Sequence, residues 1–393
     1  MTLSDAEFVL SEIGRKLLDE VTASTDDTVR WVLTLRERRG LTAEQASAIV
    51  AVASARRRAR KRFPHANKLF FTDDALAQAT SPLIAAYHAK GLASFGTVAD
   101  LGCGIGIDAI ALAQAGARVT AVEIDPVRLL FARANAEICE TARNISFTLG
   151  DITDINWQAD VAYWDPARRE GEARFSRHAE RYSPSLSFLQ TLRSKVRGGA
   201  VKLSPALPDD VLHDLGARVE FLSEERECKE ACVWFGETQG VGGTLPRCAV
   251  LLPEELVIPS EVEPAPVVPL GNYLFDPDPA LIRASALGTV AQQEKIGLIR
   301  PEDTYLTGDT LLQQTRLASP YRVVAEMPYQ PRAVQRWLQG KGVGRLVVKK
   351  RFFPKEPEVI CRELGLKGKG DELTLVLIRG GKTFHAVFCE RVQ

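Results

Sequence analysis

The sequence is short of the residues that would make it a disulfide, metal or membrane protein. Seven cysteines among 393 residues are few and odd in number, which argues against a disulfide framework. No C-x2-C pair is matched by a second one, so a structural zinc site is not expected, and no metal is assigned. No apolar run approaches the roughly 18 residues that a membrane-spanning helix needs, so no membrane partner is expected. The first residues, MTLSDAEFVLSEIGRKLLDE, are amphipathic and too acidic for a signal or transit peptide. A reducing, cytoplasmic setting is the resulting expectation. Net charge is missing as well, since 50 Lys and Arg meet 50 Asp and Glu. That balance hides an asymmetry. From Pro331 to Gln393 there are 14 basic and 6 acidic residues, leaving 36 against 44 in the remainder. A neutral chain with a basic end differs from a uniformly neutral one.

What is present reads as a soluble chain of about two to four domains. Residues 1–66 carry apolar positions at three- and four-residue steps, which predicts helices. Ser4 with Glu7 has the spacing of a capping box, and Thr42 can cap a later helix. That helix ends in RRRARKR before Pro64, and Arg56 to Arg62 read either as solvated charge placed where the helix dipole favours it or as an RNA contact. From Thr97 the texture changes to short apolar runs: TVADL, RVTAVEI, ISFTLGD, DVAYWD, GAVKLS, RVEFLSE and CAVLLP. DAIALAQAG and PVRLLFARANAEIC lie between the early runs as helices. Strands alternating with helices predict an α/β fold with a doubly wound, largely parallel, seven-stranded sheet over 67–254. Residues 255–269 are rich in proline and read as a linker. Residues 270–322 and 323–393 read as small α+β regions, the second one basic.

The strongest local signal is Asp100-Leu101-Gly102-Cys103-Gly104-Ile105-Gly106, placed between a strand and a helix. A dinucleotide site wants G-x-G-x-x-G with pyrophosphate on the helix N-terminus. Here the spacing is G-x-G-x-G behind an acid, which suits a ligand without phosphates. Asp100 can meet the cationic amino-acid end of S-adenosylmethionine. Glu123, at the end of the next strand, can accept from both ribose hydroxyls. Asp151 follows ISFTLG and can accept from the adenine amino group. Ile124 and Ile152 each stand beside an acid and can sandwich the adenine ring. Gly102, Cys103, Gly104 and Gly106 complete the expected cofactor contacts.

DLGCGIG, AVEID and the GD before ITDI resemble the cofactor motifs of class I S-adenosylmethionine-dependent methyltransferases, over roughly 70–253. HANKLFFTDDALAQAT, DPARR, VKLSP and the basic KKRFF strand resemble a bacterial group within that family. Its members have a helical N-terminal region, a small ferredoxin-like insert and a THUMP-like C-terminal domain. The resemblance implies a Rossmann-like fold, S-adenosyl-L-methionine as cofactor and RNA as partner.

Trp164-Asp165-Pro166-Ala167-Arg168-Arg169 follows the fourth strand. Amino-methylating relatives commonly have Asp or Asn, Pro, Pro and an aromatic here. This chain has Ala167 and Arg168 at the last two of those positions. Carbon-methylating enzymes with D-P-P-R use a cysteine nucleophile, and no cysteine follows the fifth strand. In-line transfer from a sulfonium to a nitrogen or oxygen is therefore the favoured chemistry, driven by positioning and desolvation. Asp165 would orient the nucleophile or accept its proton, unless it merely caps a helix. Arg168 suits a phosphate or base clamp or a plain ion pair, and Lys202 is either pocket-facing or a solvated strand-end lysine. Pro166 and Arg169 would line the substrate side. Arg174, Arg177, His178 and Arg181 lie in a polar segment that could touch phosphates. Lys349, Lys350 and Arg351 precede Phe352 and Phe353, as in RNA-binding strands, although the phenylalanines could equally be core. Three readings stay open: an enzyme acting on tRNA or rRNA, a small-molecule methyltransferase, and a non-catalytic binding protein.

Overall fold

The structure is a computed structural model of the chain and describes residues 1–393 apart from 25–27, 169–181, 241–244, 367, 382 and 393. It forms two compact units, one of residues 1–219 with 230–246 and one of residues 220–229 with 247–393. Among the described residues no helix is long and apolar enough to cross a membrane.

The first unit begins with helices Leu3–Leu10, Glu12–Ala23, Thr28–Arg39 and Ala43–Ala59. The first capping box is built by Thr2 and Asp5 and not by Ser4 and Glu7. Thr2 with Asp5 closes the same reciprocal bonds two residues earlier, which leaves Ser4 inside the helix. Thr42 caps the fourth helix as expected, with Gln45 as its partner. The arginine-rich end of that helix is not all solvated. Arg56 is 2% exposed and donates to the carbonyls of Leu69 (2.7 Å) and Lys68 (2.8 Å) and to Asp19 (2.9 Å). It thereby holds segment 68–71, whose Phe70 and Phe71 enter the same apolar cluster as Ile105, Val127 and Phe131. The N-terminal helices and the cofactor-loop region therefore share one core. Asn135 fastens the junction, pairing with both backbone groups of Phe70 (2.8 and 3.1 Å) and with the Ile105 carbonyl (3.0 Å).

Further on, the unit carries β1 (Thr97–Leu101), β2 (Arg118–Glu123), β3 (Ile145–Leu149) and β4 (Val161–Trp164). The short pair β5 (Ala167–Arg168) and β6 (Tyr182–Ser183) follows, and then β7 (Gly198–Leu203), while β8 (Arg218–Glu224) and β9 (Glu227–Gly236) each have residues in both units. Within a nine-stranded sheet, more than the seven expected, these strands stand in the order β3-β2-β1-β4-β7-β9-β8. Strands β1 to β4 and β7 pair in parallel, while β9 runs antiparallel to β7. Crossover helices Ile107–Gln114 and Pro126–Ile138 stand where the pattern placed them. The sixth strand of this order is β9, ECKEACVWFG, which the run of expected strands omitted in favour of CAVLLP. Its Glu and Lys residues break the apolar signal, yet most of the strand is buried.

In the second unit come β10 (Arg247–Leu251), β11 (Leu256–Pro259), β12 (Tyr273–Pro277), β13 (Gly297–Leu298) and β14 (Leu306–Gly308). They are followed by β15 (Ala318–Pro328), β16 (Val343–Lys350), β17 (Asp371–Gly380) and β18 (Thr383–Arg391). CAVLLP forms most of β10. The proline-rich stretch expected as a linker holds β11, which pairs with β10, and Val267 bridges Leu298. Proline is tolerated because β11 is an edge strand. A second sheet has the order β13-β14-β12-β15-β18-β17-β16. Strand β15 runs through position 322, so segments 270–322 and 323–393 contribute to one sheet. Helix Pro331–Gly340 covers it with Val334 and Leu338 buried and Trp337 stacked on Phe388 at 4.2 Å.

Candidate active site

The cofactor loop is shaped by backbone that only glycine adopts readily. Gly102, Gly104 and Gly106 have φ of +88°, +55° and +86°. A Cβ on Gly102 would stand 2.7 Å from the Asp165 carbonyl, so the loop and the end of β4 touch through backbone. The amides of Gly102 and Cys103 both donate to the Val122 carbonyl at 2.9 Å. Glu123, 5% exposed, braces the loop from β2. Its carboxylate accepts from the amides of Gly104 (2.8 Å), Ile124 (2.9 Å) and Asp125 (2.9 Å). A carboxylate offers about four acceptor positions, so capacity remains for a ligand hydroxyl. The Cys103 thiol is buried, and burial together with Asp100 and Glu123 pushes its pKa well up, which makes it inert.

Asp100 is fully buried, and neither of its carboxylate oxygens completes a hydrogen bond of normal geometry among the described residues. Burial, followed by the neighbouring Asp108, Asp165 and Glu123, raises its pKa well above the usual range, and the Ala109 amide opposes this. An acid buried among other acids suits a cationic partner. Asp151 spends one oxygen on the amide (2.8 Å) and hydroxyl (2.7 Å) of Thr153, and these bonds lower its pKa. Ile124 is 65% exposed, an apolar side chain left uncovered, whereas Ile152 is buried at 8%.

At the end of β4, Asp165 caps no helix; it leads into β5. Its carboxylate, 31% exposed, takes a 2.8 Å ion pair from Lys202 of β7. Burial raises the Asp165 pKa while Lys202 holds it back. Lys202 is not the solvated lysine considered above. Its ammonium is 12% exposed and also donates to the Thr80 hydroxyl (3.0 Å) and the Gln78 carbonyl (3.3 Å). Burial would lower the Lys202 pKa, but Asp165, Glu230 and Asp108 outweigh it and raise it. Pro166 is buried. Arg168 pairs through its backbone with Tyr182, and its side chain lies outside the described part. Arg169, Arg174, Arg177, His178 and Arg181 also lie outside the described residues. Where a carbon-methylating enzyme would need its cysteine stands buried Ser204, whose amide donates to the Tyr182 hydroxyl at 2.9 Å.

Behind this pair lies a residue that pattern reading missed. His88, 1% exposed on helix Pro82–Leu92, places Nδ1 3.1 Å from Asp108 and Nε2 2.7 Å from Glu230. A lone histidine in an apolar helix gives no local signal, and Glu230 sits on the strand that went unrecognised.

The basic run at the end of β16 is largely paired. Lys349 and Arg351 share Asp276 (2.7 and 3.2 Å), and Lys350 meets Glu356 at 2.9 Å. Phe353 is core, packed edge-on against Tyr329 and Phe384, while Phe352 is 69% exposed.

Residues 98–164 match the family model described as a methyltransferase domain, and residues 318–391 match the one described as THUMP domain-like. An uncharacterized S-adenosylmethionine-dependent methyltransferase of Mycobacterium tuberculosis H37Rv is 30% identical over 314 residues, 79% of this chain and 85% of that one. The chain belongs to the S-adenosylmethionine-dependent methyltransferases. Over 63 residues, 16% of this chain and 20% of the relative, it is also 44% identical to a ribosomal protein L11 methyltransferase of Desulfitobacterium hafniense. The crystal structure of a "putative methyltransferase" from Porphyromonas gingivalis W83 superposes with a TM-score of 0.74 at 19% identity, over 96% of this chain and 99% of that one, and shows a shared fold. The residues present in this methyltransferase fit its cofactor. A buried acid, an open glycine cradle, a braced carboxylate and an exposed isoleucine meet at the C-terminal ends of β1, β2 and β3, where open parallel sheets take their ligands.

Proposed function

We propose that this methyltransferase modifies a nitrogen or oxygen of a nucleotide in structured RNA, tRNA or rRNA, in the cytoplasm. Asp100 would take the amino-acid end of the cofactor, Glu123 the ribose and Asp151 the adenine amino group, with Ile124 and Ile152 on either side of the ring. When bound, S-adenosylmethionine supplies an electrophilic methyl group on a sulfonium. The protein supplies position. Asp165 stands beside the glycine loop and orients the acceptor or takes its proton, and Lys202 fixes the carboxylate in place. Pro166, Arg168 and Arg169 would then border the acceptor. The single observation that carries the catalytic assignment is the partly exposed Asp165–Lys202 pair in backbone contact with that loop.

RNA as acceptor is supported by the THUMP-like domain and by the local excess of cations in the last 63 residues. The pairing of Lys349, Lys350 and Arg351 argues that these three build the domain first and meet phosphates, if at all, as a secondary role. The reading is tested by incubating the protein with tritium-labelled S-adenosylmethionine and total RNA from a bacterial strain lacking the gene, with Asp165→Ala as control. Label in RNA with wild type and none with the variant is expected. Label confined to protein or small-molecule fractions would overturn the RNA reading.

A further inference from the structure

Behind Asp165 lies a chain of buried polar groups that the roles above leave unused. Lys202 reaches Asp165 at 2.8 Å and the Thr80 hydroxyl oxygen at 3.0 Å. That hydroxyl has one proton, which it gives to Asp108. Asp108 lies in the first turn of the helix that follows the glycine loop, and its Oδ1 is 3.1 Å from His88 Nδ1. On the other side of the ring, His88 Nε2 is 2.7 Å from Glu230. The path Asp165–Lys202–Thr80–Asp108–His88–Glu230 is therefore continuous.

The fold brings these groups together for traceable reasons. Lys202 of β7 is paired with Cys232 of β9, so the two share a sheet face, and Glu230, two residues away, shares it too. Tyr163 is paired with Ala200 and faces the same side, where its ring lies 4.8 Å from that of His88. The helix carrying His88 can come this close because Gly91 has no side chain; a Cβ there would stand 2.4 Å from the Trp234 ring.

A neutral imidazole has one N–H and cannot donate to two carboxylates. The groups facing His88 are Asp108 from the cofactor helix, Glu230 and Cys232 from β9 and Tyr163 from β4, and they favour the doubly protonated ring. His88, Glu230 and Cys232 also offer three ligand atoms within 4.8 Å of one another. The 2.7 Å separation of Nε2 and the Glu230 oxygen suits a shared proton, however. Ligands on a tetrahedral zinc with bonds of about 2.0–2.1 Å would stand roughly 3.3 Å apart.

We propose that His88 is a positioning residue for methyl transfer, clamped between Asp108 and Glu230 so that Asp108, through Thr80, keeps Lys202 directed at Asp165. The proposal rests on the reading of Asp165 as the acceptor-facing group. If the clamp is lost, Asp108 and Glu230 lose the cation between them and draw Lys202 inward, away from Asp165. The acceptor carboxylate then loses its fixed geometry while the glycine loop and Glu123 keep theirs. The effect falls on turnover more than on cofactor affinity.

Two measurements test it. The full chain has five histidines, so selective ¹⁵N labelling gives few ring signals, and His88→Gln assigns the one of interest. Both ring nitrogens of His88 should be protonated, with N–H protons slow to exchange, at pH values where a free imidazole of pKa about 6.5 is neutral. Those signals should shift in Asp165→Asn. A neutral tautomer, no response to Asp165→Asn, or one equivalent of zinc retained per purified chain would each overturn the proposal.

The second measurement uses Thr80→Val, which cuts the path at its uncharged link, beside Thr80→Ser, which preserves it. Labelled methyl transfer to total RNA should fall about tenfold or more in Thr80→Val, as expected for a small misplacement. It should recover in Thr80→Ser, with S-adenosylmethionine affinity unchanged in both. Full transfer by Thr80→Val beside an inactive Asp165→Ala would overturn the positioning role and leave the Asp165 reading intact. Full transfer by Asp165→Ala would remove that reading instead, while the protonation of His88 would still be read from its own signals.

Discussion

The strand ends of the first sheet and the basic strand end of the second differ in what they leave unpaired. In the first, Asp100 is buried without a hydrogen-bond partner of normal geometry and Ile124 is 65% exposed. In the second, Lys349 and Arg351 both bind Asp276, Lys350 binds Glu356 and Phe353 is core. An uncompensated buried acid is costly and persists where a ligand repays it. A cation already seated on an acid is part of the scaffold. On the proposed reading, unsatisfied groups, more than charged ones, mark where this molecule binds.

The contrast can be broken most sharply at Glu123. Glu123→Ala should weaken S-adenosylmethionine binding by roughly 100-fold or more, because a carboxylate that braces the loop and can bind the ribose is lost. Three amides lose an acceptor as well, so the variant should melt earlier. Calorimetric titration beside a thermal melt separates the two effects.

Asp165→Ala should reduce methyl transfer by about 10² to 10⁴-fold, the range for a positioned base. Its cofactor affinity should change little if the residue serves the acceptor, as proposed. Single-turnover transfer with preloaded labelled cofactor reads the chemical step alone.

For the second region, Lys349→Ala should cost about 1–3 kcal/mol of stability, because Asp276 loses its shorter ion pair in a partly buried place. Denaturant unfolding measures this. Unchanged stability, with the salt dependence of RNA binding shallower by about one unit, would instead make Lys349 a phosphate contact.

His88 sharpens the contrast through pH. Burial lowers its pKa, but Glu230 and Asp108 together raise it well above 6.5. Its contribution to stability is then complete below about pH 6.5, the unfolded value, and is lost as pH rises through the folded value. Wild type should therefore lose stability on the alkaline side relative to His88→Gln, whose own pH dependence should be flatter there. Parallel melting curves against pH would contradict this.

The smallest effect is expected at Ile124. Ile124→Ser should leave the melting temperature alone, since the side chain is already exposed, and weaken cofactor binding by about 1 kcal/mol of lost apolar contact.

The legibility of these regions in the sequence follows the same division. The glycine loop, Glu123 and Asp151 are contiguous motifs at strand ends, so their placement could be read directly. Asp165 and Lys202 could be placed at strand ends, but their pairing needed β4 and β7 as neighbours. His88 and Glu230 are 142 positions apart and meet only through the antiparallel insertion of β9, whose mixed composition concealed it. The ion pairs of the basic run were hidden for a similar reason. Lys349 is neutralised by Asp276, 73 positions away and on another strand. The same holds for Arg56, which reads as a solvated helix end and is folded over backbone carbonyls. Local pattern conveys where a charge is, and tertiary packing decides whether it remains available.

Asp100→Asn tests the central claim most directly, because it removes the ionisable acid while keeping size and shape. With S-adenosylmethionine titrated by calorimetry and the melt recorded in parallel, affinity should fall by about tenfold or more while stability is unchanged or higher. An unchanged affinity with a lower melting temperature would show that Asp100 serves the fold, and would contradict the account.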